Sequence, residues 1–348
     1  MRSRTLSLLV VAASTLLGAC KEDAGTHADF HELAASQATA GASGAGTAGA
    51  AGDSSPGTAG NMSVSDGSAE DATESDGGTS SGCGQEPGIP RNTFVLQHLT
   101  TVIDATTKVM GDRSYYVKLP PDYDLSKPLR VIYLGTGCNG DGRTSYAFDK
   151  VDGGGAILIG LNPLQAQTVG GTNVAGKPCF DDQVANSIEI PFFDALHKQV
   201  ENNFCVDKTR QFWAGYSSGS WMANIVGCAF ADVVRAVAGT SGGLPALPAC
   251  KGPIAQMFIH DMMDMGNNYS GSVSARQRTL SIDQCNGTAT APYDPGPGAT
   301  IPNAMSQCLK YTGCPAAYPV IFCTTYGQGH SSQDPLAVGG FWNFFKSF

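Results

Sequence analysis

The first quarter of the chain is almost without aromatic and basic residues. No Phe, Tyr or Trp lies between Phe30 and Phe94, and no Lys or Arg between Lys21 and Arg91. Ala, Gly, Ser and Thr fill that stretch, which cannot bury enough apolar surface to offset chain entropy; a packed domain is excluded there. A long apolar run is missing too: residues 6–17 are mostly apolar, but a membrane-spanning helix needs roughly 20 such residues. Neither a C-x-x-C pair nor an H-E-x-x-H sequence occurs, so no zinc signature is present. Positive charge is scarce, with 21 Lys and Arg against 30 Asp and Glu, a formal net charge of −9 and a pI near 5.0. Without a basic stripe to neutralise phosphates, the sequence argues against nucleic acid as a partner.

What the N-terminus does contain is Arg2 and Arg4 ahead of the apolar stretch, then the small residues Gly18 and Ala19. A charged start, a short apolar segment and a small-residue cleavage site read as an export signal. The tetrad Leu17-Gly18-Ala19-Cys20 resembles a bacterial lipobox, which implies lipidation of Cys20 and contact with a membrane through that anchor only. Ordinary signal cleavage beside an incidental cysteine is the plainer alternative. Residues 1–20 are then a signal peptide and 21–82 a flexible tether spanning roughly 45 Å root-mean-square. Residues 83–348 are long enough for one well-buried domain. Of the 11 cysteines, setting Cys20 aside leaves an even number. In an exported protein these form up to five disulfides, whose pairing sequence alone does not settle.

Within the folded part, residues 129–135 (LRVIYLG) and 156–161 are short β-branched and apolar runs that read as buried strands. Between 186 and 206, Ile188, Ile190, Phe192, Phe193, Leu196, Val200 and Phe204 recur at three- and four-residue steps, which predicts a helix with one buried face and Pro191 in its first turns. Further strands are expected at 211–216, 234–238, 254–260 and near 319–325. A helix is expected over 218–228, and a closing one around Phe341, Trp342, Phe344 and Phe345. Strands alternating with helices imply an α/β fold, a mainly parallel sheet covered on both faces. Ligands of such sheets bind at the carboxyl ends of the strands.

Gly215-Tyr216-Ser217-Ser218-Gly219 falls between an expected strand and an expected helix, the context a G-x-S-x-G nucleophile turn requires. A serine hydroxyl needs a base oriented by a carboxylate, and in this fold class the chain order is Ser, acid, His. Of six histidines only His260 and His330 follow Ser217. His330 lies in a glycine-bearing loop after the last strand and suits the base. His260 closes a strand and suits structural hydrogen bonds. For the acid, Asp264 can reach back to the histidine from a few residues past the strand, while Asp261, nearer the strand, suits pinning the loop; Asp334 is a third candidate. An oxyanion hole would use the N–H of Ser218 and a second donor, Gly137 or Cys138, from the loop 136–140. Its glycines allow close backbone approach, although a tight turn with Cys138 in a disulfide fits the same residues. Phe180 and Trp221 are candidates for stacking on an aromatic acyl group, or for ordinary core packing. No cofactor is implied.

Several segments carry a family resemblance. They are SGCG at 81–84, RSYYVKLPPDYD at 113–124, VIYLGTGCNG at 131–140, FCVDKTRQFWAGYSSGSWM at 204–222, FIHDMMD at 258–264, GQGH at 327–330 and FWNFF at 341–345. In this order they resemble the secreted feruloyl esterases related to polyhydroxybutyrate depolymerases, in carbohydrate esterase family 1. That resemblance implies an α/β-hydrolase fold and ester hydrolysis, with Ser217 as nucleophile, Asp264 as acid and His330 as base. The implied substrate is a feruloylated plant polysaccharide or its fragments. Acetylxylan esterase, polyester depolymerase and a non-catalytic carbohydrate-binding surface lipoprotein are the rival functions. Three positions depart from the family pattern. Thr136 stands where the oxyanion loop usually begins with histidine, and Asp261 replaces the glycine of a His-Gly-x-x-Asp motif. Tyr216, rather than a cysteine, precedes the serine, which separates the chain from the tannase-like group.

Overall fold

The computed structural model describes residues 78–348, apart from 105–106, 165–172, 175–176, 182–186 and 244–248. The expected signal peptide, the expected lipidation site at Cys20 and nearly all of the expected tether lie outside the described residues. The packed chain begins ahead of Cys83: Ser80 is buried, its hydroxyl donates to Phe204 O (2.7 Å) and accepts from Val206 N–H (2.8 Å). The expected boundary at 82–83 is thus a few residues late, because a Gly- and Ser-rich stretch can still be held by backbone pairing.

In chain order the strands are β1 (Phe94–Val102), β2 (Met110–Lys118), β3 (Leu129–Gly135), β4 (Ala156–Leu161), the two-residue pair β5 (Asn173–Val174) and β6 (Lys177–Pro178), β7 (Val206–Tyr216), β8 (Ala236–Thr240), β9 (Ala255–Asp261), β10 (Thr290–Pro292), β11 (Gln307–Tyr311) and β12 (Val320–Thr325). The helices are α1 (Glu189–Asn203), α2 (Ser218–Ala229), α3 (Tyr269–Ile282) and α4 (Leu336–Lys346). Ten strands form one sheet in the order β1-β2-β4-β3-β7-β8-β9-β12-β11-β10. The run from β4 to β12 is parallel, and antiparallel strands flank it on both sides.

Side chains of β3 alternate between two cores, as a strand buried on both faces requires. Val131 and Tyr133 pack with Phe192, Phe193 and Leu196 of α1 and Met222 and Val226 of α2. Ile132 and Leu134 face the opposite layer, built on Phe341, Phe344 and Phe345 of α4. A third cluster seats α3 on Phe258 of β9 and Phe322 of β12. This is the α/β-hydrolase arrangement, and it places the carboxyl ends of β3, β7, β9 and β12 along one rim. Sequence periodicity does not anticipate α3, β1, β2, β10 or β11, and the strand expected at 234–238 lies two residues later.

Five disulfides staple the domain: Cys83–Cys205, Cys138–Cys179, Cys228–Cys250, Cys285–Cys314 and Cys308–Cys323. The first closes a separation of 122 residues and ties the start of the domain to the entry of β7. Cross-links of this kind stabilise mainly by restricting the unfolded chain, by about 2–4 kcal/mol each.

Asp283, just past α3, is buried. One carboxylate oxygen accepts the Ile254 N–H (2.9 Å) and the other has no partner among the described residues. Burial pushes this carboxyl from its ordinary 3.8 up to about 7. The unfolded chain therefore loses the proton at lower pH than the folded one. The folded state is favoured most below the ordinary value, loses stability as pH rises from there towards 7, and levels off above. Asp283→Asn keeps the acceptor and removes the ionisation. It is expected to raise Tm by about a few degrees at pH 8 and to change it little near pH 4. An equal shift at both pH values in thermal melts would contradict this account.

Candidate active site

The turn between β7 and α2 presents Ser217 at φ 54° and ψ −116°. A non-glycine residue at positive φ is strained and persists only where its surroundings hold it. Here the surroundings are backbone. A Cβ on Gly215 would lie 1.9 Å from Gly219 O, and one on Gly219 would lie 2.2 Å from Gly135 O. Only glycines let the first turn of α2 sit this close to the ends of β3 and β7. The turn is pinned further by Ser217 N–H to Thr240 O (3.0 Å) and by Trp213 Nε1–H to Gly219 O (3.0 Å).

His330 arrives from the loop after β12. Its Nε2 lies 3.0 Å from Ser217 Oγ, and its Nδ1 lies 2.9 and 3.0 Å from the two oxygens of Asp264. The Asp264 side chain is fully buried, whereas that of His330 is 29% exposed. Burial works to raise the Asp264 carboxyl, but the Asn267 N–H, His330 and the Gly266 N–H outweigh it and hold the group below its ordinary value. A carboxylate kept ionised beside Nδ1 fixes one ring orientation and leaves Nε2 facing the hydroxyl. Such a line can take the serine proton as the oxygen attacks a carbonyl.

His260 is buried behind the same carboxylate. Its Nε2 lies 3.0 Å from Asn267 O and 3.2 Å from Asp264, and its Nδ1 contacts Ser272 Oγ. Burial lowers its pKa against the opposing pull of Asn267 O and Asp264, which favours the neutral ring. These are the structural hydrogen bonds expected for it. Asp261 does not touch His330: it accepts from Met263 N–H, Thr325 Oγ1 and Gln328 N–H. Asp334, the third candidate acid, bonds Ser332.

Ser218 N–H belongs to the first turn of α2, where N–H groups lack helical acceptors. The loop after β3 comes up beside the serine, because a Cβ on Gly137 would lie 3.3 Å from Ser217 Cβ. Cys138 anchors that loop through its disulfide to Cys179, and Asn139 N–H donates to Pro178 O (2.6 Å). Trp221, one turn beyond Ser217, is half-buried against the core. Phe180 is a correction: it has no exposed surface and packs edge-on to Trp213, with centroids 6.3 Å apart. It is a core residue and offers no face for stacking.

Two neighbours of the imidazole are given no contact with it by the sequence motifs. The Tyr216 ring lies 5.3 Å from that of His330, and its hydroxyl donates to His330 O (3.3 Å). Gly266 backs the imidazole so tightly that a Cβ there would lie 2.5 Å from His330 Cγ. Its place two residues past Asp264 is the one signal available for it.

No family model matches the chain. Among curated proteins it is 30% identical over 289 residues to feruloyl esterase C of Emericella nidulans, spanning 78% of this chain and 92% of that protein. It is 29% identical over 280 residues to feruloyl esterase D of Neurospora crassa, spanning 77% and 90%. Among solved structures, an acetyl xylan esterase from Aspergillus awamori superposes with a TM-score of 0.52 at 13% identity, covering 72% of this chain and 99% of that one. At that identity the likeness is one of fold.

Gly266→Ala is expected to displace the imidazole without unfolding the domain. Phosphonylation of Ser217 by a fluorophosphonate probe should slow by about 10- to 100-fold, the range that misplacements near 1 Å produce. Wild-type labelling rates in the folded variant would show that the ring does not depend on this glycine.

Proposed function

The chain belongs to the feruloyl esterase family, whose members are serine carboxylesterases, and on that premise we propose that it releases hydroxycinnamic acids from feruloylated plant polysaccharide by acyl transfer through Ser217. The observation that carries this reading is the continuous line Ser217 Oγ–His330–Asp264, with separations of 3.0 and 2.9 Å, at a strained turn where strands end.

In the proposed reaction Ser217 Oγ attacks the ester carbonyl while His330 Nε2 takes its proton. Asp264 holds Nδ1–H and steadies the imidazolium that forms. Negative charge on the carbonyl oxygen is met by the N–H of Ser218 and by a backbone N–H of Gly137 or Cys138, aided by the positive end of α2. The tetrahedral species collapses as His330 returns the proton to the departing sugar hydroxyl. Water, deprotonated by the same imidazole, then frees the acid and restores the serine. Trp221 is the remaining candidate for contact with an aromatic acyl group. The chemistry needs no cofactor.

Export of the protein fits its disulfides, which persist in oxidising compartments. In this reading Cys20 carries a lipid and the Ala-, Gly- and Ser-rich segment between it and the packed domain holds the enzyme away from the envelope surface, within reach of insoluble polysaccharide.

The test is hydrolysis of methyl ferulate, p-nitrophenyl acetate and a hydroxybutyrate oligomer by the wild type and by Ser217→Ala. Methyl ferulate is expected to be preferred, and the variant to lose about 10⁴-fold or more in kcat. Equal rates for the two proteins would overturn the role of Ser217. Preference for the acetate or the oligomer would overturn the acyl group proposed here.

A further inference from the structure

The loops that bring Asp264 and His330 together leave the ends of two adjacent parallel strands. Asp261 ends β9 and Thr325 ends β12, and the two are paired in register. One more backbone bond follows, from Met262 N–H to Thr325 O (3.0 Å). Beyond it the loops diverge, and the Asp261 side chain bridges the gap. One of its oxygens accepts the N–H of Met263 (2.8 Å), on the loop that carries Asp264. The other accepts the N–H of Gln328 (2.9 Å), on the loop that carries His330, together with the hydroxyl of Thr325 (3.0 Å). Asp261 has no exposed surface, so water does not compete for these bonds and their strength is that of a low-dielectric interior.

Gln328 sits between two hinges. Gly327 and Gly329 adopt φ values of 76° and 60°, and neither meets another atom within 4 Å of an added Cβ. A segment with left-handed glycines on both sides has few restraints of its own. Asn303 holds Tyr326 O ahead of it (2.8 Å), Gln333 reaches Gly329 O at 3.5 Å and Tyr216 holds His330 O (3.3 Å), while the Gln328 N–H, two residues before His330, is among the described residues the one bond that ties the segment to the Asp264 loop.

We infer that Asp261 is a positioning residue: its carboxylate locks the His330 loop to the Asp264 loop and so presets the imidazole between Asp264 and Ser217. This rests on the roles proposed above for Ser217, His330 and Asp264. The residue is fully buried and its bonds go to Met263, Thr325 and Gln328, not to the imidazole, so its removal is expected to act on kcat through geometry and to leave ground-state binding alone.

The experiment compares Asp261→Gly, Asp261→Asn, Thr325→Val and Ser217→Ala in the full-length protein. It uses p-nitrophenyl acetate, which does not depend on the acyl preference, alongside thermal melts and the low-field NMR resonance of the His330 Nδ1 proton. Asp261→Gly is expected to lower kcat by about 10- to 100-fold with KM within about twofold, and to broaden or abolish the low-field resonance. Asp261→Asn keeps an oxygen for Gln328 N–H, and Thr325→Val leaves the carboxylate in place. Both should lose a measurable part of kcat, smaller than the loss in the glycine variant, and keep the resonance at a shifted position. The inference is overturned if Asp261→Gly folds with kcat and resonance near wild type while Ser217→Ala is inactive. It is also overturned if the asparagine and glycine variants are equally impaired. Should the glycine variant fail to fold, equal wild-type kcat in Asp261→Asn and Thr325→Val would overturn it, and a graded loss with a shifted resonance would support it. Activity surviving in Ser217→Ala would instead remove the reading on which the inference rests.

Discussion

The Ser217 hydroxyl stands clear of the sheet because the chain reverses at φ 54° and the first turn of α2 packs directly on the ends of β3 and β7. That contact is backbone on backbone, with Gly135, Gly215 and Gly219 meeting where any side chain would collide. A strained residue of this kind costs about 1–3 kcal/mol, and the surroundings must supply that. Several buried hydrogen bonds do so. Trp213 holds the carbonyl of Gly219, and Tyr146 reaches the carbonyl of Gly215 (3.0 Å) and the hydroxyl of Thr240 (2.6 Å). The aromatic layers on both faces of the sheet keep these donors in place. Much of the core therefore serves one turn.

The second constraint is electrostatic. Asp264 is buried deeply enough that its charge would be costly, yet two backbone N–H groups and two histidines surround it. Charge-assisted bonds to N–H donors offset the lost hydration. Behind it His260, buried and tied to Asn267 O and Ser272, closes the carboxylate off from the core. Asp264 thus points its remaining capacity at His330, whose side chain is left partly exposed to solvent.

Much of this arrangement is legible in the amino-acid sequence. Runs such as LRVIYLG mark parallel strands because both of their faces are buried, and Ser217, Asp264 and His330 follow from strand ends, chain order and chemistry. The antiparallel strands at the sheet margins are less visible. Only one of the nine residues of β1 is buried, so its pattern is diluted. Helix α3 leaves little trace because the residues it buries are Ser272, Ala275, Thr279 and Leu280, mostly small or polar groups that give little apolar rhythm. Phe180 is ambiguous in sequence since a phenylalanine near a site and one in the core look alike, and only its packing on Trp213 separates them. That Asp261 pins its own loop follows from its place at the strand end, but its hold on the His330 loop and the contact of Gly266 with the imidazole depend on distances between loops far apart in the chain, which no local pattern encodes.

The central claim is that one hydroxyl, that of Ser217, becomes the covalent carrier of the acyl group, although Ser218 and Ser220 lie within the same turn. Brief reaction with a ferulate ester followed by acid quench and peptide mass spectrometry addresses this directly. The account predicts a feruloyl adduct on Ser217 alone, formed within one turnover and chased away by further incubation. An adduct on Ser218 or Ser220, or turnover of the ester with no covalent species at any serine, would contradict it.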